Sequence, residues 1–133
     1  MSAQKVLDSF AVIAFLEDEP GGAKVAELVK QAKDRDHPLL LSVVNWGEVY
    51  YNAVRTGGRE VGERMIRILE TLPIEIVDAD RPLAKMAAEL KATRKMAYAD
   101  CFAAALAKAR KASLVTGDKE FKEVEGEVDV IWI

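Results

Sequence analysis

The segment SLVTGDKEF, residues 113–121, decides the expected fold, because its apolar start ends abruptly at Thr-Gly-Asp and is followed by charged residues. The chain begins in a similar way, since KVLDSF, residues 5–10, places Asp8 directly after two apolar residues. Each segment is typical of a short buried strand that ends near an aspartate. In a parallel sheet the carboxyl ends of the strands share one edge, so we expect Asp8 and Asp118 to lie at the same edge.

The rest of the chain alternates between strand-like and helix-like segments. Further strands are predicted for LLLS, IEIV and the final VDVIWI, and helices are predicted at about residues 10–17, 23–36, 43–56, 59–71, 82–93 and 98–110. Ser9 and Ser42 stand where the N-caps of the first and third helices are expected. This alternation predicts an α/β fold with right-handed crossovers and a mostly parallel sheet that helices cover on both faces.

Composition limits the class of protein. The chain has 133 residues and a net charge of −3, with one cysteine and one histidine. We therefore expect one domain with a real core and no internal disulfide. The acidic balance argues mildly against a nucleic-acid binder, although it does not exclude a local basic patch. The apolar runs are shorter than the ~18 residues of a membrane helix and the first ten residues lack a signal-peptide core, so we expect a soluble cytoplasmic protein that does not bind membranes.

Two further acids lie in apolar surroundings. Glu48 lies in SVVNWGEVYY, and Asp100 lies in the alanine-rich segment MAYADCFAAALA. We expect both in the first turns of their helices, near the strand ends that carry Asp8 and Asp118. Four acids at one point need a counter-charge because an unpaired buried carboxylate is costly. A divalent cation would supply that charge, and oxygen ligands suit Mg²⁺ or Mn²⁺.

Each acid taken alone also has a structural interpretation. Asp8 could simply cap a helix, and Asp118 could be a turn residue. Glu48 and Asp100 could be acids that are favoured by the positive end of a helix dipole. The expected position of all four acids at one edge of the sheet favours a metal site over these separate structural roles.

These segments together resemble a family, the PIN-domain ribonucleases, and within it the VapC toxins of prokaryotic toxin–antitoxin pairs. VLDSFAVIAFLEDEPG is similar to the family's first strand and helix, and SVVNWGEVYY is similar to the segment that carries its glutamate. YADCFAAALA resembles the segment with the third acid, and SLVTGDKEF resembles the last motif. The resemblance covers essentially the whole chain.

The resemblance implies a single PIN domain over residues 1–133, built as a three-layer α/β/α sandwich with a sheet of about five strands. It implies that four acids hold Mg²⁺ or Mn²⁺: Asp8, Glu48, Asp100 and Asp118. Three polar residues would orient the ligands or a water molecule: Ser9, Asn45 and Thr116. The implied activity is hydrolysis of RNA phosphodiester bonds. The implied partners are an RNA substrate, a VapB-like antitoxin and a second copy of the chain.

An RNA substrate would need a local basic patch on this acidic chain. The candidates flank the helix of Asp100 or the last acid: Lys91, Arg94, Lys95, Lys108, Arg110, Lys111 and Lys119. The alternative, that these are only solvated helix faces, remains open.

The remaining residues of interest give one open question, two expectations and one alternative function. The aromatic residues of the first and third helices are either core or a partner surface: Phe10, Phe15, Trp46, Tyr50 and Tyr51. Cys101 is expected to be a small core residue, and His37, before a proline, is not expected to be catalytic. A non-catalytic PIN-like module that binds RNA or protein is the alternative function.

Overall fold

The computed structural model describes residues 4–133 and contains one five-stranded sheet. Its strands are β1 (Lys5–Leu7), β2 (Leu39–Ser42), β3 (Ile74–Val77), β4 (Ser113–Thr116) and β5 (Val130–Trp132). The strand order is β3-β2-β1-β4-β5, and every neighbouring pair is parallel. The predicted α/β fold with a mostly parallel sheet of about five strands is confirmed.

Helices connect the strands and cover both faces of the sheet. They are α1 (Ser9–Leu16), α2 (Gly22–Asp34), α3 (Val43–Gly57), α4 (Arg59–Glu70), α5 (Arg81–Thr93) and α6 (Tyr98–Arg110). A 3₁₀ helix, Lys119–Val124, follows β4 and was not predicted. The side chains on one face of the sheet pack against α1 to α4 to form one core cluster. Those on the other face pack against α5, α6 and the 3₁₀ helix to form a second cluster.

The two-residue period of the strands divides the core between these faces. Val6 and Leu40 pack in the cluster that contains α5 and α6, whereas Leu7 and Leu41 pack in the cluster that contains α1 to α4. All four side chains are at most 1 % exposed. Successive side chains of a strand point to opposite faces, so a strand buried on both faces is a continuous apolar run.

Helix α6 is buried nearly all the way round. Residues 100–107 are all buried, and four of these eight residues are alanine. Small side chains let the helix approach both the sheet and α5 closely. Cys101 is a free, fully buried thiol whose pKa burial raises, so the prediction that it is a core residue is confirmed.

The cap of α1 corrects one prediction. Asp8, not Ser9, is the N-cap, because its carboxylate accepts a hydrogen bond from the backbone N–H of Ala11 at 2.8 Å. Strand β1 ends at Leu7, so the extended residue between strand and helix is Asp8, and Ser9 is already helical. The predicted cap at Ser42 is confirmed, since its hydroxyl accepts from the N–H of Val44 at 3.2 Å.

Strand register aligns the residues at the carboxyl edge of the sheet. Leu7 of β1 is paired with Leu41 of β2 and with Val115 of β4. The next residues along these three adjacent strands are therefore Asp8, Ser42 and Thr116, at one level. This edge is where the first and last predicted acids come together.

The aromatic residues of α1 and α3 divide between core and surface. Phe15 and Trp46 are partly buried against the core of the α1–α4 face. Phe10 and Tyr51 are instead 42 % and 50 % exposed. Tyr50 is half-buried and its ring stacks on that of Trp46. The core interpretation therefore holds for Phe15 and Trp46 and does not hold for Phe10 and Tyr51.

No helix within residues 4–133 is both long enough and apolar enough to cross a membrane. The segment assessed for a signal peptide begins with residues 1–3, which lie outside the described residues.

Candidate active site

Three carboxylates converge where the end of β4 faces the start of α6. Asp100, Asp118 and Glu120 each place a carboxylate oxygen within 4.8 Å of those of the other two. Asp100 is 8 % exposed, Asp118 is half-buried and Glu120 is exposed, so the cluster opens from the core toward solvent. We call Asp100, Asp118 and Glu120 the acidic trio.

Glu120 is the member that sequence analysis missed. It lies in the 3₁₀ helix, and its carboxylate accepts a hydrogen bond from the backbone N–H of Ala97 at 3.0 Å. That contact holds Glu120 against the N-terminus of α6, where Asp100 lies. The only sequence signal was an acid two residues after Asp118, which is common on protein surfaces.

Asp8 lies behind the trio and has two roles. Its carboxylate caps α1, and it also accepts a hydrogen bond from the hydroxyl of Thr116. Burial raises the pKa of Asp8 to about 7, even though both of these hydrogen bonds act to lower it. The charges of Asp118 and Glu48 make smaller contributions that also raise it. The cap interpretation of Asp8 is therefore correct, and the residue still belongs electrostatically to the site.

Thr116 connects the acids of β1 and β4. Its fully buried hydroxyl donates to Asp8 and accepts from the backbone N–H of Asp118 at 3.0 Å. Asp118 in turn accepts from the N–H of Glu120 at 2.9 Å and so caps the 3₁₀ helix. This chain of hydrogen bonds fixes the direction of the turn that carries two members of the trio.

Glu48 and Asn45 approach from α3. Asn45 donates from Nδ2 to the carboxylate of Glu48 at 3.0 Å and to the carbonyl of Ala99 at 3.1 Å, which ties α3 to the start of α6. Glu48 is the sixth residue of α3, so the prediction that it lies in the first turn is wrong. The helix begins at Val43, as predicted, and a turn holds only about 3.6 residues, so Glu48 falls in the second turn.

Asp100 experiences the combined charge of the site. It is in the first turn of α6, as predicted, and burial raises its pKa to about 8. The charges of four neighbours raise it further: Asp118, Glu120, Glu48 and Asp8. All four predicted acids and Glu120 therefore belong to one electrostatic cluster.

These residues fit a divalent cation. Carboxylate oxygens are the ligands that Mg²⁺ and Mn²⁺ prefer, and mutual repulsion among five acids is what a cation would offset. Asn45 Oδ1 is also buried beside the cluster, and within residues 4–133 it has no hydrogen-bond partner. The acidic trio could hold such an ion directly, with Asp8 and Glu48 behind it.

Some of the basic side chains predicted to bind RNA already have partners within the protein. Lys91 donates to the carbonyl of Met96 at 2.8 Å, and Arg94 forms an ion pair with Glu127. Lys95 and Lys119 are exposed, and among residues 4–133 neither forms an ion pair. These two are the basic side chains near the site that remain available.

Three of the basic candidates lie far from the acids. Lys108 is eight residues beyond Asp100, which corresponds to about 12 Å along the axis of α6. Lys108 pairs with Glu127 at 3.2 Å, and Arg110 lies 3.9 Å from Glu75. Lys111 follows at the C-terminal end of the same helix. Flanking the helix of Asp100 in sequence therefore does not place these residues beside the site.

Among the described residues, Ser9 makes no side-chain hydrogen bond to the acids, and His37, which is not expected to be catalytic, lies away from them. Ser9 is half-buried at the start of α1, and its hydroxyl takes part in no hydrogen bond among residues 4–133. His37 precedes β2 and so lies at the opposite, amino edge of the sheet. The site has no histidine among its described residues, and general acid–base chemistry by imidazole has no group to perform it there.

The fold and the site define a class of protein, a parallel α/β/α sandwich with a cluster of carboxylates at the carboxyl edge of its central strands. The sequence matches the model of the PIN domain over residues 5–127, and the chain belongs to this family. No curated protein sequence matches the chain.

Solved structures share the fold over nearly the full chain. A VapBC2 complex from Rickettsia felis, bound to a DNA fragment from its promoter, is 20 % identical with a TM-score of 0.74, over 97 % of this chain and 98 % of that one. A DNA-bound VapBC from Salmonella typhimurium is 20 % identical with a TM-score of 0.73, over 97 % of each chain. Mycobacterium tuberculosis VapC20, a Sarcin-Ricin loop cleaving toxin, is 14 % identical with a TM-score of 0.69, over 90 % and 93 %. At these identities the likeness establishes the shared fold.

Proposed function

We propose that this chain is a Mg²⁺- or Mn²⁺-dependent endoribonuclease and the VapC-type toxin of a type II toxin–antitoxin pair. The acidic trio, supported from behind by Asp8 and Glu48, is the observation that carries this proposal. A non-catalytic module would gain nothing from such a costly concentration of charge. Membership in the PIN family and the fold shared with a Sarcin-Ricin loop cleaving toxin support the same conclusion.

Each residue of the site has a task in this proposal. Asp100, Asp118 and Glu120 would hold the cation, and Asp8 and Glu48 remain proposed ligands beside them. Such a cation would lower the pKa of a bound water and offset charge on the cleaved phosphate. Thr116 and the backbone of the 3₁₀ helix orient Asp118. Asn45 orients Glu48. Because burial raises the pKa of Asp8 to about 7 and that of Asp100 to about 8, binding of a cation to these carboxylates would release protons near neutral pH.

The proposal extends to partners and context. Several solved structures with this fold are toxin–antitoxin complexes, which favours a VapB-like antitoxin for this chain. A basic segment of that antitoxin would be attracted to the acidic site. We further propose a homodimer, a cytoplasmic location and a single PIN domain over residues 1–133. Lys91, Arg94, Lys95 and Lys119 remain the proposed contacts to RNA.

We expect the purified protein, freed of any partner, to cut a pool of structured RNAs in Mg²⁺ or Mn²⁺. Cleavage should stop in EDTA and return when either metal is added back in excess, because the acids alone provide no activated water. Gel analysis of end-labelled RNA measures both cases. RNA that is bound but never cut in any metal would establish the binding-module alternative instead.

Glu120→Gln tests whether the trio is the metal site. Glutamine keeps the oxygen that accepts from Ala97 N–H, so the variant loses charge without losing this contact. We expect Mn²⁺ affinity, measured by calorimetry, to fall at least about tenfold, as it does when groups around a metal are removed. The matched control is Glu123→Gln, an exposed acid of the same 3₁₀ helix outside the trio. Equal Mn²⁺ affinity in the two variants would exclude Glu120 from the site.

A further inference from the structure

An exposed aromatic ring lies at the rim of the acidic site. Phe10 is in the first turn of α1, two residues after Asp8, and is 42 % exposed. Its ring lies against Gly117, since a Cβ added to that glycine would be 2.4 Å from Cε1 of Phe10. Gly117 joins Thr116 to Asp118, so the ring is held beside the turn that carries the acids.

Position 117 requires glycine because the Phe10 ring leaves no space for a side chain, and not because of the backbone conformation. Gly117 does not have a positive φ, so its conformation is open to other residues. Any side chain there would collide with the ring, at 2.4 Å from Cε1 and 2.8 Å from Cζ. The turn therefore leaves room for a phenylalanine that is not buried, and burial alone does not account for the arrangement.

The electrostatics of the site make an apolar contact useful to an RNA ligand. Five carboxylates lie around the proposed reaction centre, and Arg94 is held by Glu127, the acid that also pairs with Lys108. Lys95 and Lys119 are the free basic side chains near these acids, among the residues that the structure describes. A bound cation and contacts that do not depend on charge would therefore add to the affinity for a polyanion. Stacking of a base on an aromatic ring strengthens binding by roughly 5- to 150-fold and tolerates any base.

We propose that Phe10 is a stacking platform for an unpaired nucleobase next to the cleaved phosphodiester. This inference rests on the proposed nuclease function and adds a positioning residue and a preference for single-stranded RNA. A base within a duplex is already stacked on its neighbours and is not available to Phe10. A duplex therefore gains nothing from the ring.

The test is binding of a short RNA that contains 2-aminopurine, a base whose fluorescence changes on stacking. The full chain is used in Ca²⁺, a cation that also takes oxygen ligands, with the RNA either single-stranded or paired to its complement. We expect Phe10→Tyr to bind single-stranded RNA like the wild type. Phe10→Leu, which keeps an apolar side chain against Gly117, should bind it roughly tenfold more weakly and lose the fluorescence change. The affinity for duplex RNA should be equal for the wild type, Phe10→Tyr and Phe10→Leu.

Tyr98→Ala is the matched control. Tyr98 is 47 % exposed at the start of α6, but it is two residues from Asp100 and so points about 200° away around the helix, with its ring against Phe102. We expect less than a twofold effect on RNA binding, and thermal unfolding of each variant checks that it is folded. The inference is overturned if Phe10→Leu binds like the wild type, or if Tyr98→Ala loses as much as Phe10→Leu. Wild-type protein that neither binds nor cuts RNA would instead overturn the proposed function itself.

Discussion

Asp100→Asn is expected to reduce metal-dependent RNA cleavage by on the order of 10³-fold. Asparagine has nearly the shape of aspartate but removes the most buried charge of the acidic trio. The variant keeps its place at the start of α6, which is set by the packing of eight consecutive buried residues. The loss should therefore appear in the chemistry of cleavage and not in the fold. Initial rates on one end-labelled RNA at saturating Mn²⁺ measure it.

The same substitution should leave the metal-free protein as stable as the wild type or more stable. Burial and neighbouring charges raise the pKa of Asp100 to about 8, so its ionised form is disfavoured in the folded state. An amide avoids that cost. Loss of cleavage together with an unchanged or higher Tm would separate a catalytic effect from unfolding.

Asp78→Asn is the control for this experiment. Asp78 also follows a strand, β3, at the same edge of the sheet, but it is exposed and lies outside the acidic cluster. We expect its cleavage rate to stay within about twofold of the wild type, the small effect usual for exposed surface substitutions. Cleavage that persists at the wild-type rate in Asp100→Asn would remove Asp100 from the active site and point to a contaminating nuclease.

The second large effect concerns stability and pH. In EDTA we expect the free energy of unfolding to fall by on the order of 5 kcal/mol between pH 4 and pH 8. Asp8 and Asp100 have folded-state pKa values of about 7 and 8, against an ordinary value of 3.8. Between these limits the folded protein binds protons that the unfolded chain releases. The contribution of these groups is fully present below about pH 4 and is lost as the pH rises through 7 and 8.

Saturating Mn²⁺ should weaken or reverse this trend. A cation binds the deprotonated carboxylates, so its affinity and its stabilising effect increase with pH. Thermal unfolding in EDTA and in Mn²⁺ at pH 5, 6, 7 and 8 measures both curves. A Tm that in EDTA is flat or rising from pH 5 to pH 8 would contradict the burial of these charges. Wild-type curves that are identical with and without Mn²⁺ would contradict the metal site.

Most of the acids in the candidate site are predicted by the sequence. Asp8 and Asp118 were placed at one edge because both follow apolar runs, and the parallel register of β1 and β4 confirms that geometry. Asp100 was found from its apolar surroundings, since a carboxylate among alanines is unusual. Glu48 was found in the same way, although its depth in α3 was misjudged by one turn.

Local patterns determined the fold class and the edge of the sheet that carries the acids. Strand and helix periods depend on neighbouring residues, and parallel strands bring their carboxyl ends together whatever the rest of the chain does. The tertiary structure alone decided the membership of the acidic trio, the pairing of Arg94 with Glu127 and the contact between Phe10 and Gly117. Arg94 and Glu127 are 33 residues apart and Phe10 and Gly117 are 107 apart, so only packing brings them together. The trio depends on a 3₁₀ turn that folds Glu120 back onto the start of α6, and an exposed glutamate gives no sign of that in the sequence.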